Sequence, residues 1–390
     1  MIRDSTVFSA FLETVRKFVV SEAVPIEAEI ERRDEVPEHL VQRMRELGYF
    51  GWSIPEEYGG SGMTVEELVL AAIEFSQCSP AIRARVGTNT GIGSGVIVND
   101  GTEVQKARFL PLLTSGEMTG SFALTEPNAG SDATAIRTSA VRQGDKYILN
   151  GHKRFITNAP IADLFTVFAR TDPESRGAKG ISAFLVERGT EGLRTGPAYQ
   201  KMGQAGSPVG DVYLEDCVVS EDMLVGGLEG LGFEAAMKTL VRQRIHLSAL
   251  CVGPAIRLLR DAVDHARSRE QFGKPISEFQ LVQGMLADSQ TDIFAARSMV
   301  LESAQRCDAG RDVRLEASMC KYFASEMCGR VADRAVQILG GYGYLAGTAV
   351  ERFYRDVRLF RLYEGTSQMH QLTIAKLVIR NAESDGWGAH

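Results

Sequence analysis

Apolar residues along this 390-residue chain recur with two different periods, and the points of change divide it into three stretches. Near the start, Phe8, Phe11, Leu12, Val15 and Val19 fall three or four apart, the spacing of one helix face. Pro37 is placed to open a second helix through Met44 and Leu47, closed by Gly48, and a glycine-rich connection from Tyr58 to Gly62 leads to a third over Glu66 to Phe75. Near Gly116 the long period gives way to short runs over 146–150, 164–170, 181–186 and 211–215, separated by Gly, Pro and Asp turns. After Gly226-Gly227 the helical pattern returns, with Phe279 to Ala304 reading as one helix that carries Leu281, Met285, Ile293, Ala296 and Val300. The order is helix, sheet, helix: an α+β chain with an N-terminal helical domain (1–116), a central β domain (117–227) and a C-terminal helical domain (228–390). No internal repeat, low-complexity tract or long polar linker separates them, so they are expected to pack as one body.

Composition narrows the function. Lys+Arg at 43 against Asp+Glu at 50 gives 43 − 50 = −7, a field that disfavours a nucleic-acid role. Hydrophobic residues at 44% with 24% charged exclude a disordered chain, a collagen or a coiled-coil rod. The six cysteines contain no C-x-x-C pair, which argues against a zinc site or a disulfide framework. The opening segment carries Asp4 and Glu13 and resembles neither a signal nor a transit peptide, and no run approaches the roughly 20 apolar residues of a membrane span. A soluble, cytoplasmic protein without a membrane role is the expectation.

Some motifs carry nothing. Gly340 to Gly347 is glycine-rich like a dinucleotide loop, but it follows a helical pattern rather than a buried strand. H-E-x-x-H, G-x-S-x-G and Walker motifs are absent, and the six histidines lack ligand spacing, so no metal is expected. Arg352, Arg355, Arg358 and Arg361 recur every third residue and read as a solvated helix face paired with Glu351 and Asp356.

Four segments are more specific: Phe122-Ala-Leu-Thr-Glu-Pro-Asn-Ala-Gly-Ser-Asp132 with Lys153-Arg-Phe-Ile-Thr-Asn158, Arg269-Glu-Gln-Phe-Gly-Lys274, Gln337-Ile-Leu-Gly-Gly-Tyr-Gly343, and Leu362-Tyr-Glu-Gly-Thr-Ser-Gln-Met-His370. In this order and spacing they closely resemble the acyl-CoA dehydrogenase family of flavoproteins, over essentially the whole chain. The resemblance implies that family's fold, with the C-terminal domain a four-helix bundle, and FAD as cofactor. It implies that the loop bearing Phe122, Leu124, Thr125 and Ser131 contacts the flavin ring, with Ser131 also touching the substrate, and that Phe155 and Thr157 pack behind the ring. Many relatives have Trp where this chain has Phe155, which keeps the stacking and loses an indole N–H. Arg269, Phe272, Gln280, Gln337 and Gly341 match positions that reach the adenosine and pyrophosphate half of FAD in a neighbouring subunit, and Thr366 and Gln368 match residues on that same side. A homotetramer, built as a dimer of dimers, follows from the resemblance.

Glu364 is implied as the base that removes the α-proton of an acyl-CoA, with the β-hydride passing to flavin N5 and a trans-2-enoyl-CoA as product. Physically, such a base needs a carboxylate whose pKa is raised by burial. Tyr363 and Gly365 suit a turn that points the Glu364 N–H at the thioester oxygen. Some relatives place the base just before an arginine corresponding to Arg244; here that position is Gln243, which cannot serve. Arg244 matches an arginine at the base of the acyl pocket, although the acidic residue usual two before it is Arg242. Electron-transfer flavoprotein is the implied acceptor. Arg83 aligns with an arginine that meets the distal carboxylate in glutaryl-CoA dehydrogenases, so a carboxylated acyl-CoA, with or without decarboxylation, is an alternative substrate if Arg83 rather than Arg85 faces the cavity. Relatives that act as flavin oxidases or monooxygenases, or that bind DNA, are further alternatives; Glu364 and the net charge speak against them.

Overall fold

Side chains that close the helix ends fix where the elements start. A computed structural model describes residues 2–175 and 177–385. The first helix, α1 (Ser5–Phe18), begins where the Asp4 carboxylate accepts from the N–H groups of Thr6 and Val7. It is followed by α2 (Glu27–Arg33) and by α3 (Glu38–Glu46), which has Pro37 at its cap and Gly48 at φ 70° just beyond its end. Capping boxes open α4 (Val65–Phe75), through Thr64 and Glu67, and α7 (Glu103–Ser115), through Thr102 and Gln105; α5 (Pro80–Gly87) and α6 (Gly93–Asp100) lie between. Phe18, Tyr49, Trp52 and Phe75 form the aromatic centre of this layer.

The strands are β1 (Gly120–Ala123), β2 (Ser139–Gln143), β3 (Lys146–Thr157), β4 (Leu164–Arg170), β5 (Ile181–Glu187), β6 (Leu193–Thr195) and β7 (Val209–Ser220). They form one sheet in the order β1-β4-β2-β3-β7-β6, with β5 antiparallel on β4. β4 and β5 alternate little and are buried throughout except at their last residues, as expected of strands covered on both faces.

The third stretch holds α8 (Gly232–Ser268), a two-stranded hairpin of β8 (Glu270–Gln271) and β9 (Lys274–Pro275), α9 (Gln280–Asp308), α10 (Arg314–Leu339), two short helices, α11 (Gly341–Tyr344) and α12 (Ala349–Asp356), and α13 (Ser367–Asp385). Helices α8, α9, α10 and α13 are the four long members of the bundle. The largest core cluster includes Val65, Val69, Ala72 and Ile73 of α4 beside the apolar faces of α8, α9 and α10, so the first and third stretches share a core. At their crossing a Cβ on Gly253 would lie 2.1 Å from Ser76 Oγ and 2.6 Å from the Ile73 carbonyl oxygen, so only glycine allows this approach.

The arginine stripe departs only in part from the solvated face expected of it: Arg358 is exposed and Arg355 pairs with Glu351, as read, but the stripe also reaches other elements. Arg352 is buried and donates to Glu27 at 2.6 Å; Arg355 pairs with Glu351 and Glu31, and Arg361 with Glu326. Arg352 and Arg355 fall at the junction with α2, where the Arg352–Glu27 pair meets out of water. Breaking a buried pair from one side leaves the other charge without compensation. Arg352→Met is therefore expected to lower the unfolding free energy by about 3–5 kcal/mol in urea titrations, with part recovered by adding Glu27→Gln; an unchanged midpoint would show that the pair stabilises nothing.

Candidate active site

A fault in strand register builds one wall of the site. β3 and β7 lose register between Lys153 and Ile156, and within that irregularity Phe155 takes φ 58°. Such a bulge re-aims side chains, and here it leaves the Phe155 ring 61% exposed on a cleft of about 510 Å³. Lys153 goes the other way and is wholly buried, its Nζ 2.7 Å from Glu126 Oε1 and 3.2 Å from the Leu124 carbonyl oxygen. The Glu126 carboxylate also accepts from Arg137 N, Thr138 N and Thr138 Oγ1, and Arg154 N donates to Thr125 O at 2.8 Å. This network ties the loop from Leu124 to Ser131 to the bulged strand. Burial pushes the Lys153 ammonium down to about 8 against the pull of Glu126. Burial pushes the Glu126 carboxyl up, but Lys153 and these hydrogen bonds hold it below its ordinary value.

The helical bundle supplies the facing wall. Between the 3₁₀ turn Val357–Arg361 and α13, Glu364 takes φ 54° and Gly365 φ 98°, two consecutive left-handed residues. Non-glycine residues hold this conformation only where the surroundings impose it. Here the Glu364 carbonyl accepts from Arg244 Nε at 3.4 Å and from the His370 Nε2–H at 3.2 Å, while Lys321 Nζ donates to the Gly365 carbonyl at 2.5 Å. Oε2 of Glu364 is out of solvent and has no hydrogen-bond partner. Burial pushes the Glu364 carboxyl up; Arg83, Lys321 and Arg244 pull it back, and the net direction is upward. Burial and the nearby charges of Arg244 and Lys321 push His370 down to about 3, so it stays neutral.

Phe122, Leu124, Thr125, Ser131, Phe155 and Thr157 line this cleft from the sheet side, and Arg83, Arg244, Tyr363, Glu364 and Gly365 line it from the helical side. Arg83 faces the cleft with its Nε unpartnered, whereas Arg85 turns away to Thr119 Oγ1 at 2.8 Å. Arg269 and Gly341 line a separate surface groove of about 520 Å³ between the end of α8 and the turn after α10. Phe272 projects 94% exposed from the hairpin tip, and Gln280, Gln337 and Gln368 are exposed outside both cavities. Thr366 Oγ1 accepts from Met369 N at the start of α13. The sequence reading missed Lys321, Lys153 and the role of His370. A lysine inside the otherwise apolar face of 317–331 is the signal that was available for the first.

Three family models match: acyl-CoA dehydrogenase N-terminal domain over residues 8–117, middle domain over 121–217 and C-terminal domain over 230–379. This chain belongs to the acyl-CoA dehydrogenase family. It is 41% identical to the 3-(aryl)acrylate reductase of Clostridium sporogenes and 41% identical to an acyl-CoA dehydrogenase of Bacillus subtilis, each over 94% of this chain and 96% of the relative. The structure of butyryl-CoA dehydrogenase from Megasphaera elsdenii superposes with a TM-score of 0.93 at 35% identity, covering 97% of this chain and all of that one. The family is FAD-dependent and acts on CH–CH groups. The residues here fit such a cofactor: an uncovered phenyl ring on a bulge, the hydroxyls of Thr125, Ser131 and Thr157, and a cleft between them and a carboxylate with one oxygen out of solvent. Among the described residues no helix is long and apolar enough to cross a membrane, and no group of three or more His, Cys, Asp or Glu is placed to hold a metal.

Lys153→Met is expected to loosen the Leu124–Ser131 loop and weaken FAD binding at least tenfold, about 1.4 kcal/mol. Fluorescence titration of the apoprotein with FAD measures this, and an unaltered dissociation constant would disconnect the buried pair from the cofactor loop.

Proposed function

We propose that this protein oxidises an acyl-CoA thioester between Cα and Cβ, with Glu364 as the base that takes the α-proton. The carrying observation is that an unpartnered, desolvated carboxylate oxygen lies in the same cleft as Phe155, Thr157 and Ser131. Desolvation makes a carboxylate a stronger base toward the weakly acidic α-hydrogen. No hydrogen bond among the described residues engages the Glu364 backbone N–H, which leaves it for the thioester carbonyl, where negative charge grows as the proton departs. When bound, FAD supplies the acceptor for the β-hydride. Phe155, Thr157 and the Leu124–Ser131 loop orient the ring, with Ser131 placed to touch substrate as well, and Tyr363 and Gly365 flank the base. Gln243, also in the cleft, has no proton-accepting role.

Exposed Phe272, Leu281 and Phe294 support a homotetramer in which Arg269, Gln280, Gln337 and Gly341, with Thr366 and Gln368, serve the adenosine half of the cofactor across a subunit boundary. Electron-transfer flavoprotein is the acceptor that family membership supports. A second substrate reading, a carboxylated acyl-CoA, rests on Arg83 facing the cleft with Nε unpartnered; the names of the relatives do not favour it. A panel of saturated, branched, aromatic and dicarboxylic CoA thioesters, scored by flavin bleaching, separates the two.

Glu364→Gln should keep its FAD and bleach about 10² to 10⁴-fold more slowly; bleaching at the wild-type rate would move the base elsewhere. Glu364 acts when ionised and its pKa is raised, so the rate should fall with decreasing pH through a midpoint above 4.5. A pH profile of single-turnover bleaching reads that midpoint, and one at or below 4.5 would contradict the assignment.

A further inference from the structure

One helix reaches the base loop at three points. On α10, Lys321 donates to the Gly365 carbonyl at 2.5 Å, and five residues on, Glu326 accepts from Arg361 Nη1 at 3.1 Å and from Ser367 Oγ at 2.5 Å. Arg361 and Ser367 bracket the left-handed Glu364–Gly365 turn, and Lys321 holds its middle. Lys321 is wholly buried, where an ammonium is rare unless something compensates its charge. Its hydrogen-bond partner is a main-chain carbonyl, and the carboxylate its field reaches in the cleft is Glu364.

We propose that Lys321 is the positioning residue of the base: its ammonium fixes the Gly365 carbonyl in the bundle, so that the turn presents the Glu364 side chain to the cleft, and its charge opposes the desolvation of that side chain. This rests on Glu364 being the base. The geometry separates the two tasks. Arg244 and His370 take the Glu364 carbonyl from α8 and α13, and Lys321 takes the next carbonyl from α10, so two successive peptide oxygens are held by side chains of three bundle helices. The charged and titratable groups facing the carboxylate are Arg83 from α5, Arg244 and the Cys251 thiol from α8, Lys321 from α10, and Tyr363 and neutral His370 from its own loop and α13. Burial drives Cys251 and Tyr363 upward and His370 downward, and it lowers the Lys321 ammonium itself to about 8, so below that pH three cations oppose the desolvation of Glu364. Arg83 lines the cleft itself, where a bound substrate would compete for it. Lys321, already engaged by Gly365, keeps its place whether or not the cleft is filled.

The test is the ionisation of Glu364 itself, followed without substrate. In FAD-loaded protein the carboxylic C=O infrared band that disappears in Glu364→Gln is titrated against pH. Lys321→Met is expected to raise its midpoint by about 1–3 pH units and to move the acid limb of acyl-CoA bleaching by the same amount, at unchanged FAD content. Lys321→Gln retains a donor for Gly365 without the charge and should shift the midpoint similarly. That variant also reads the charge should Lys321→Met fail to fold. Lys321→Arg should restore most of the wild-type midpoint. An infrared midpoint unmoved in both neutral variants overturns the proposal, even if bleaching slows, because a purely structural role would leave it unmoved. Failure of wild-type protein to bleach with any acyl-CoA would instead strike at the dehydrogenase reading.

Discussion

Removing water from a carboxylate costs free energy that only nearby positive charge or hydrogen bonding offsets, and the site is organised around that opposition at Glu364. Too little compensation would leave the group protonated and unable to accept a proton. Full pairing would leave it ionised but weakly basic. Three cations from three different helices surround it without closing a salt bridge on its free oxygen, and the net effect of burial is upward.

The rest of the fold serves that balance. The sheet contributes a flat, exposed aromatic ring and a tethered loop, both consequences of one bulge in β3. The bundle contributes the strained turn and the donors that hold it. The N-terminal helices close the cleft through α5, which carries Arg83, and are bound to the bundle by the core shared between α4 and α8 and by the Arg352–Glu27 pair. Each of the three stretches thus places at least one charged or aromatic group at one spot, and none holds the cleft alone.

Much of this was legible in the sequence, for reasons that vary by element. Helix faces and their ends could be read because Pro37, Gly48 and Gly116 act locally, and the run at 164–169, apolar but for Thr166, suits a strand covered on both faces. The base loop could be read because its neighbours form a distinctive string, and it lies within residues 230–379, which the C-terminal family model matches. Other features depend on tertiary partners. Arg83 and Arg85 lie on different faces of a helix whose apolar residues face several ways, so periodicity does not say which arginine enters the cleft. The stripe at Arg352 resembles a solvated face until α2 is laid against it. The outward turn of Phe155 comes from a mismatch between two strands, and the value of Lys321 lies in a carbonyl 44 residues away.

The most direct test of the central claim is hydrogen exchange at the α-carbon. FAD-loaded protein is incubated anaerobically with an acyl-CoA in D₂O, and the α-hydrogen signal is followed by ¹H NMR. Wild-type protein is expected to exchange the α-hydrogen, and Glu364→Gln is expected not to. Exchange at the same rate in both proteins would contradict that claim.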